Sequence, residues 1–161
     1  MDNMNKIIEQ RILHTHLYNQ CDGIYQKIIQ NAGMSEITYR ILYALCQSEE
    51  KLTQIDICRE WNYAKQSVNT AILKLVKQGY VVLTQDKSMP RNHKVITLTE
   101  KGETFCAQWV HPVIDIDNQA FATLSERERE MCIAIRKKLY EFVKDGLKDL
   151  LETSEEVGIH E

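Results

Sequence analysis

Apolar residues recur at spacings of three and four over most of this chain, but between Tyr80 and Leu98 strand-forming residues come instead in two short bursts around a polar stretch. That contrast predicts a mainly helical fold with one small hairpin. From about Asn5 to Gln30, Ile8, Ile12, Thr15, Tyr18 or Asn19, Ile24 and Ile28 form a stripe that Ile7, Leu13, Leu17, Cys21 and Ile29 widen. This reads as a long helix with a broad apolar face, weakened at Gly23. Gly33 ends it, and Ser35 can cap a second helix from Glu36 to about Gln47, with Ile37, Ile41, Leu42 and Leu45 facing inward.

Thr53-Gln54-Ile55-Asp56 resembles a capping box with Asp in the place of Glu, opening a short helix that runs to about Trp61. Asn62-Tyr63-Ala64 separates it from a longer helix. There Val68, Ala71, Ile72, Leu75 and Val76 share one side, while Gln66, Ser67, Thr70, Lys74 and Lys77 share the other. Gly79 terminates that helix, Tyr80 to Thr84 is rich in strand formers, Gln85 to His93 reads as a hairpin tip, and Lys94 to Leu98 returns. Short helix, tight turn, longer helix and hairpin together make a winged helix-turn-helix.

Two further helices complete the pattern. Thr99 can cap one that runs to about Asn118 through Phe105, Trp109, Val113 and Ile116, with a kink expected at Pro112. Ser125-Glu126-Arg127-Glu128 is a capping box for the last, in which Ile135, Leu139, Phe142, Val143, Leu147, Leu150 and Leu151 keep bundle spacing. The acidic end, Glu152 to Glu161, is expected to fray.

Charge sharpens the reading. Residues 64–101 carry seven basic side chains (Lys65, Lys74, Lys77, Lys87, Arg91, Lys94 and Lys101) against Asp86 and Glu100, a net +5 in a chain whose total is −3. Residues 1–63 come to −2 and residues 102–161 to −6. Positive potential is thus focused on the winged segment, where a phosphate backbone would select it, and acidic flanks discourage indiscriminate polyanion binding.

Other classes fit less well. The 161 residues suit one domain, or one with dimerisation extensions, and no run of about 18 apolar residues or basic-then-apolar leader is present. No membrane partner is expected, and the location is read as cytoplasmic. The five cysteines, Cys21, Cys46, Cys58, Cys106 and Cys132, are odd in number and lack CxxC spacing, which favours reduced thiols. No Gly-rich phosphate loop, GxSxG or matched carboxylate pair argues for an enzyme, and no cofactor is expected.

The ordered set of Leu75-Val76-Lys77-Gln78-Gly79-Tyr80-Val81, the wing Asp86 to Arg91, Leu98-Thr99-Glu100-Lys101-Gly102 and Phe121-Ala122-Thr123-Leu124-Ser125-Glu126 resembles the MarR family of bacterial transcriptional regulators over essentially the whole length. The resemblance implies a single chain, residues 1–161, with a winged helix-turn-helix at about 35–100 and dimerisation helices at about 1–31 and 101–152. It also implies a homodimer on double-stranded DNA, repression of a neighbouring operon, and release by a small aromatic or phenolic effector or by oxidation. Carried onto this sequence, the recognition residues are Gln66, Ser67, Asn69, Thr70 and Lys74, with Arg91 at the wing tip. Many family members have Ser or Thr in the place of Gln66 and Arg in the place of Thr70, so base preference is expected to be shifted. The insertion of Ser88-Met89-Pro90 bears on how deeply the wing enters its groove.

Each assignment has a plainer rival. Gln66 can bond adenine bidentately, and Ser67, Asn69 and Thr70 can reach phosphates or base edges, or all four simply form a solvated face. Lys65, Lys74, Lys87 and Lys94 are phosphate contacts on the same charge argument, and Arg91 suits a narrow, electronegative minor groove. His14, Tyr39, Arg40, Tyr43 and Trp109 would converge on an effector pocket if the family geometry holds, with Arg40 pairing a carboxylate, or would be ordinary interhelical packing. Cys21 is the candidate redox thiol, but Asp22 adjoins it and no basic residue is nearer than Lys27, so it reads as a buried or interfacial structural cysteine, as do the other four. His14 and His16 point apart on a helix, and no metal site is expected. A thiol-based redox regulator, and a winged protein-interaction module without an operator, are the alternatives.

Overall fold

Four of the helices begin where a hydroxyl side chain can receive the backbone N–H groups that a first helical turn leaves unpaired. The computed structural model, which describes residues 3–86, 94–148 and 150, places these starts as the sequence predicts. Helix α1 (Asn3–Asn31) ends before Gly33, whose φ of +69° carries the turn into α2 (Glu36–Gln47), capped by Ser35. Helix α3 (Gln54–Trp61) opens with a full capping box: Asp56 accepts from the Thr53 backbone N–H at 2.9 Å and from its hydroxyl at 2.7 Å. Asn62 then takes the left-handed conformation, φ +51°, and the chain turns into α4 (Lys65–Lys77).

Gly79, at φ +76°, closes α4 and leads to the hairpin. Strand β1 (Val81–Gln85) pairs antiparallel with β2 (Lys94–Leu98), in the register Val81 to Leu98, Leu83 to Ile96 and Gln85 to Lys94. The first strand therefore starts one residue later than the pattern predicts and takes in Gln85, which the pattern assigns to the tip. Thr53 makes an isolated bridge to Val95, and Leu52 O accepts from Ile96 N–H at 2.9 Å, so the wing is sewn to the start of α3.

By chain contacts the molecule divides into two compact units, Met1–Ile114 and Asp115–Glu161. The first holds the core, in which Ile41, Leu42, Ile57, Val68, Leu75, Val81, Cys106 and Val110 are fully buried. Val76 does not join it, because its position at the margin of the α4 stripe leaves it exposed. The kinked helix predicted from Thr99 is two helices, α5 (Glu100–Trp109) and α6 (His111–Ala122), separated at buried Val110. Pro112 has no N–H to continue α5, yet sits without cost in the first turn of α6, where no intrahelical donor is needed. In the second unit Ser125 and Glu128 form the expected capping box of α7 (Glu126–Gly146), beyond which Lys148 and Leu150 are again helical. Leu147 caps it, and Leu151 lies outside the described residues. Among the described residues no helix is long and apolar enough to cross a membrane.

Candidate nucleic-acid interface

Helix α4 is fixed from beneath. Val68, Ala71, Ile72 and Leu75 are its buried face, packed with α2 and α3, so rotation about its own axis would cost that burial. Its start is also held, as Gln54 Nε2 donates to Lys65 O at 3.0 Å. Gln66, Ser67, Asn69, Thr70 and Lys74 are all exposed, as is Lys94 at the start of β2. Ala64 at the N-cap offers no side chain to the first N–H groups of the helix.

These residues border two clefts, one on each side of the exposed arc of α4. On one side, Gln66, Ser67, Thr70 and Lys74 face the N-terminal turn of α2 across a cleft of about 550 Å³ that Ser35 and Thr38 help to line. On the other, Lys65, Asn69 and Lys94 share a cleft of about 280 Å³ between α3, α4 and the wing strands, with Ile55, Leu73 and Leu83 as its apolar floor. Helical spacing tells which residues point outward. It cannot tell which neighbours they meet.

Local bonding refines the individual roles. The Thr70 hydroxyl donates to Gln66 O at 3.0 Å, so its proton is spent on its own helix, and a phosphate, which only accepts, gains little from it. Lys101 stands apart from the face: its ammonium donates to Gln78 O at 2.7 Å and lies 4.5 Å from the Tyr80 ring centroid, where it serves the carboxyl end of α4. Asp86, at the base of the wing, is paired by Lys51 at 2.6 Å, a partner that sequence reasoning missed because it lies 35 positions away. The pairing removes a negative charge from beside the cleft that holds Lys94. Lys87 and Arg91 lie outside the described residues.

The five residues assigned to an effector pocket fall into separate arrangements. Tyr39 donates from its hydroxyl to Trp109 O at 2.7 Å, tying α2 to the last turn of α5. Arg40 and Tyr43 instead meet at Trp61, which the sequence reading did not assign: the guanidinium lies 5.0 Å from its ring centroid, and Tyr43 meets it edge-on at 6.2 Å. Arg40 is also within 3.7 Å of Glu36 and 4.0 Å of Asp22, so a ligand carboxylate would have to displace carboxylates already in place. Burial, reinforced by the Glu36 carboxylate, pushes the neighbouring Tyr63 phenol above its ordinary 10.0, with Arg40 opposing. The indole N–H of Trp61 is buried without a hydrogen-bond partner among the described residues, and His14 stands on the exposed surface of α1.

Cys21 and Cys132 are exposed in the chain rather than buried within it, and each lies on a helix whose apolar stripe is itself uncovered. Among the described residues no three His, Cys, Asp or Glu side chains are grouped as a metal would require.

The model of the MarR family matches residues 32–88, the segment from the end of α1 into the wing. Over most of its length the chain is similar in structure to NMB1585, a MarR family regulator from Neisseria meningitidis, at a TM-score of 0.68 and 21% identity, covering 92% of this chain and 99% of that one. It is likewise similar to a MarR/EmrR family transcriptional regulator from Acinetobacter sp. ADP1, at a TM-score of 0.61 and 20% identity over 89% and 99% of the two chains. A mutant of MepR from S. aureus, solved bound to an oligodeoxyribonucleotide, matches at a TM-score of 0.53 and 17% identity over 83% and 97%. No curated protein matches the chain.

Proposed function

From a MarR-family segment set in a winged helix fold, we propose that this protein is a DNA-binding transcriptional regulator and not an enzyme. The observation that carries the reading is α4: a helix locked by its buried side, exposing Gln66, Ser67, Asn69 and Lys74 between two clefts, with Lys65 and Lys94 beside the wing. In this reading α4 enters a major groove, the wing with Arg91 follows the minor groove, and the winged domain spans about residues 35–100. Two copies bind a pseudo-palindromic operator in the cytoplasm as a homodimer, joined through the helices at about 1–31 and 101–152. A small aromatic or phenolic effector releases the repressor by binding better to a spacing of the two recognition helices that DNA does not accept.

Salt titration of binding to a selected operator and to a scrambled duplex tests the assignment residue by residue. Lys74→Ala weakens both and lowers the salt slope by about one, because a phosphate contact carries no sequence information. Gln66→Ala costs about 1–3 kcal/mol on the operator and little on the scrambled duplex, so the specificity ratio falls. Arg91→Ala lies between, with its greatest effect on A·T-rich, narrow-grooved flanks. Wild-type affinity for both duplexes in all three variants would remove this face from consideration and leave a winged protein-interaction module.

A further inference from the structure

Helix α4 carries a leucine that belongs to neither its buried stripe nor its polar side. Leu73 is 53% exposed, whereas Leu75, on the same helix, is 0% exposed in the core. At about 100° of turn per residue, Leu73 stands only about 20° around the helix from Gln66, in the middle of the arc that also exposes Asn69, Thr70, Lys74 and Lys77. It borders the cleft of about 280 Å³ together with Asn69, Lys65 and Lys94, and although Ile55 and Leu83 line the same cleft, about half of Leu73 stays open to solvent.

A single exposed leucine is ordinary on a protein surface. This one is set among amide and ammonium groups on a helix whose orientation is fixed, by the burial of Val68, Ala71, Ile72 and Leu75 and by the bond from Gln54 to Lys65 O. Whatever Gln66 faces, Leu73 faces too.

We infer that Leu73 is a specificity-determining residue that reads thymine through its C5-methyl group. The inference rests on the reading that α4 occupies a major groove. In that groove the phosphates take up ammonium groups and the base edges take up amides, and neither gives an isobutyl side chain anything to bind. The thymine methyl is the apolar group that the groove displays, so contact with Leu73 removes apolar surface from water on both partners. Charge supports the placement, because Lys65 lies to one side of Leu73 around the helix and Lys74 and Lys77 lie to the other, where they can hold the phosphates that border a groove.

Position along the helix limits which base pair is read. Leu73 comes seven residues after Gln66, about 10 Å along the axis at about 1.5 Å per residue. Successive bases on a strand rise about 3.4 Å, so the thymine should lie within about three base pairs of the pair that Gln66 reads. The signature also differs in kind from that of Gln66. It depends on a methyl group and on no donor or acceptor.

Uracil isolates that signature, since it keeps every hydrogen-bonding group of thymine and lacks only the methyl. The experiment uses the full chain and a duplex that it selects from a random-sequence pool, with each thymine replaced in turn by deoxyuridine. In the wild type, one thymine within the expected interval should lose about fourfold in affinity on replacement, the worth of one buried methyl-sized group. Leu73→Ala should bind the unmodified duplex more weakly, by about the same factor at each half-site, and should no longer distinguish thymine from uracil at that position. Leu73→Met keeps a flexible apolar reach and should retain the discrimination. Gln66→Ala should retain it as well, while losing preference at its own base pair. Because Leu73 is exposed, its variants should share the wild-type thermal midpoint, which separates a lost preference from a lost fold. The inference is overturned if no thymine in that interval is sensitive to replacement, or if the sensitivity persists in Leu73→Ala. A wild-type protein that selects no duplex from the pool would overturn the regulator reading itself, and this inference with it.

Discussion

Helices α2 and α4 and helices α1 and α7 carry comparable apolar stripes and put them to opposite uses. In α2, Thr38, Tyr39, Ile41, Leu42 and Ala44 are buried, and in α4 Val68, Ala71, Ile72 and Leu75. Across its 29 residues α1 buries Ile29 alone, and α7 buries none of its 21. Leu42 is 0% exposed, whereas Phe142 is 80% exposed. Short helices joined by turns of a few residues can fold onto one another and satisfy their own stripes. The faces of α1 and of α7 each stay uncovered, and an exposed apolar stripe of that length marks a place for a partner. In the proposed homodimer a second copy supplies it.

The largest effects should follow that division. Leu42→Ala, which empties a fully buried site, is expected to lower unfolding free energy by about 2–5 kcal/mol at any protein concentration. Phe142→Ala should leave the protomer almost untouched and act on self-association. Urea denaturation at two protein concentrations separates them: the wild-type midpoint rises with concentration, Leu42→Ala shifts both midpoints down, and Phe142→Ala flattens the rise. A wild-type midpoint that ignores concentration would break the comparison.

Glycines sharpen it with a single substitution of opposite sign. A Cβ on Gly102 would collide with Tyr80 O and sit 3.1 Å from Leu98 Cδ2, so Gly102→Ala must push the first turn of α5 away from Tyr80 at the entry to β1, at a cost of about 1–3 kcal/mol. Gly23 in α1 meets nothing within 4 Å, and Gly23→Ala should stabilise by about 0.5–1 kcal/mol through helix propensity alone. Thermal midpoints moving in opposite directions are expected. Equal losses would mean that α1 is as closely packed as the core.

What could be read from the sequence was what is decided locally. Ser35, Thr53 with Asp56, Thr99, and Ser125 with Glu128 announce their helices because a cap and its partner lie three residues apart. The exposed side of α4 was equally legible, since it follows from about 100° of turn per residue. Contacts between distant segments left no such trace. Lys51 with Asp86, and Arg40 and Tyr43 with Trp61, each depend on how distant segments pack together, which periodicity does not encode. Pro112 signalled a disturbance, but whether the helix would bend or break there rested on the burial of Val110. The division of the exposed α4 residues between two clefts belongs to the same class.

The smallest expected effect concerns the two capping boxes, one in each unit. Thr53 is buried and sewn to the wing, so its box belongs to a packed interface, whereas Ser125 and Glu128 are exposed and their box is local. Glu128 accepts from the Ser125 hydroxyl at 2.7 Å and from its backbone N–H at 2.8 Å, and these bonds hold its carboxyl below the ordinary 4.5. A depressed folded-state pKa means that the ionised form is the one favoured by folding. Its contribution is therefore present above the unfolded value near 4.5 and is lost as pH falls through the lower folded value. In Ser125→Ala the hydroxyl bond is gone and the backbone bond remains, so Glu128 should titrate closer to 4.5 without reaching it. The same variant should cost helix α7 about 1 kcal/mol or less, because the box stands in solvent and supports nothing beyond its own first turn. An NMR titration of the Glu128 side-chain carboxyl in wild type and Ser125→Ala measures the shift directly. If the midpoints coincide, the box does not persist in solution, and the start of α7 relies on neighbours other than Ser125.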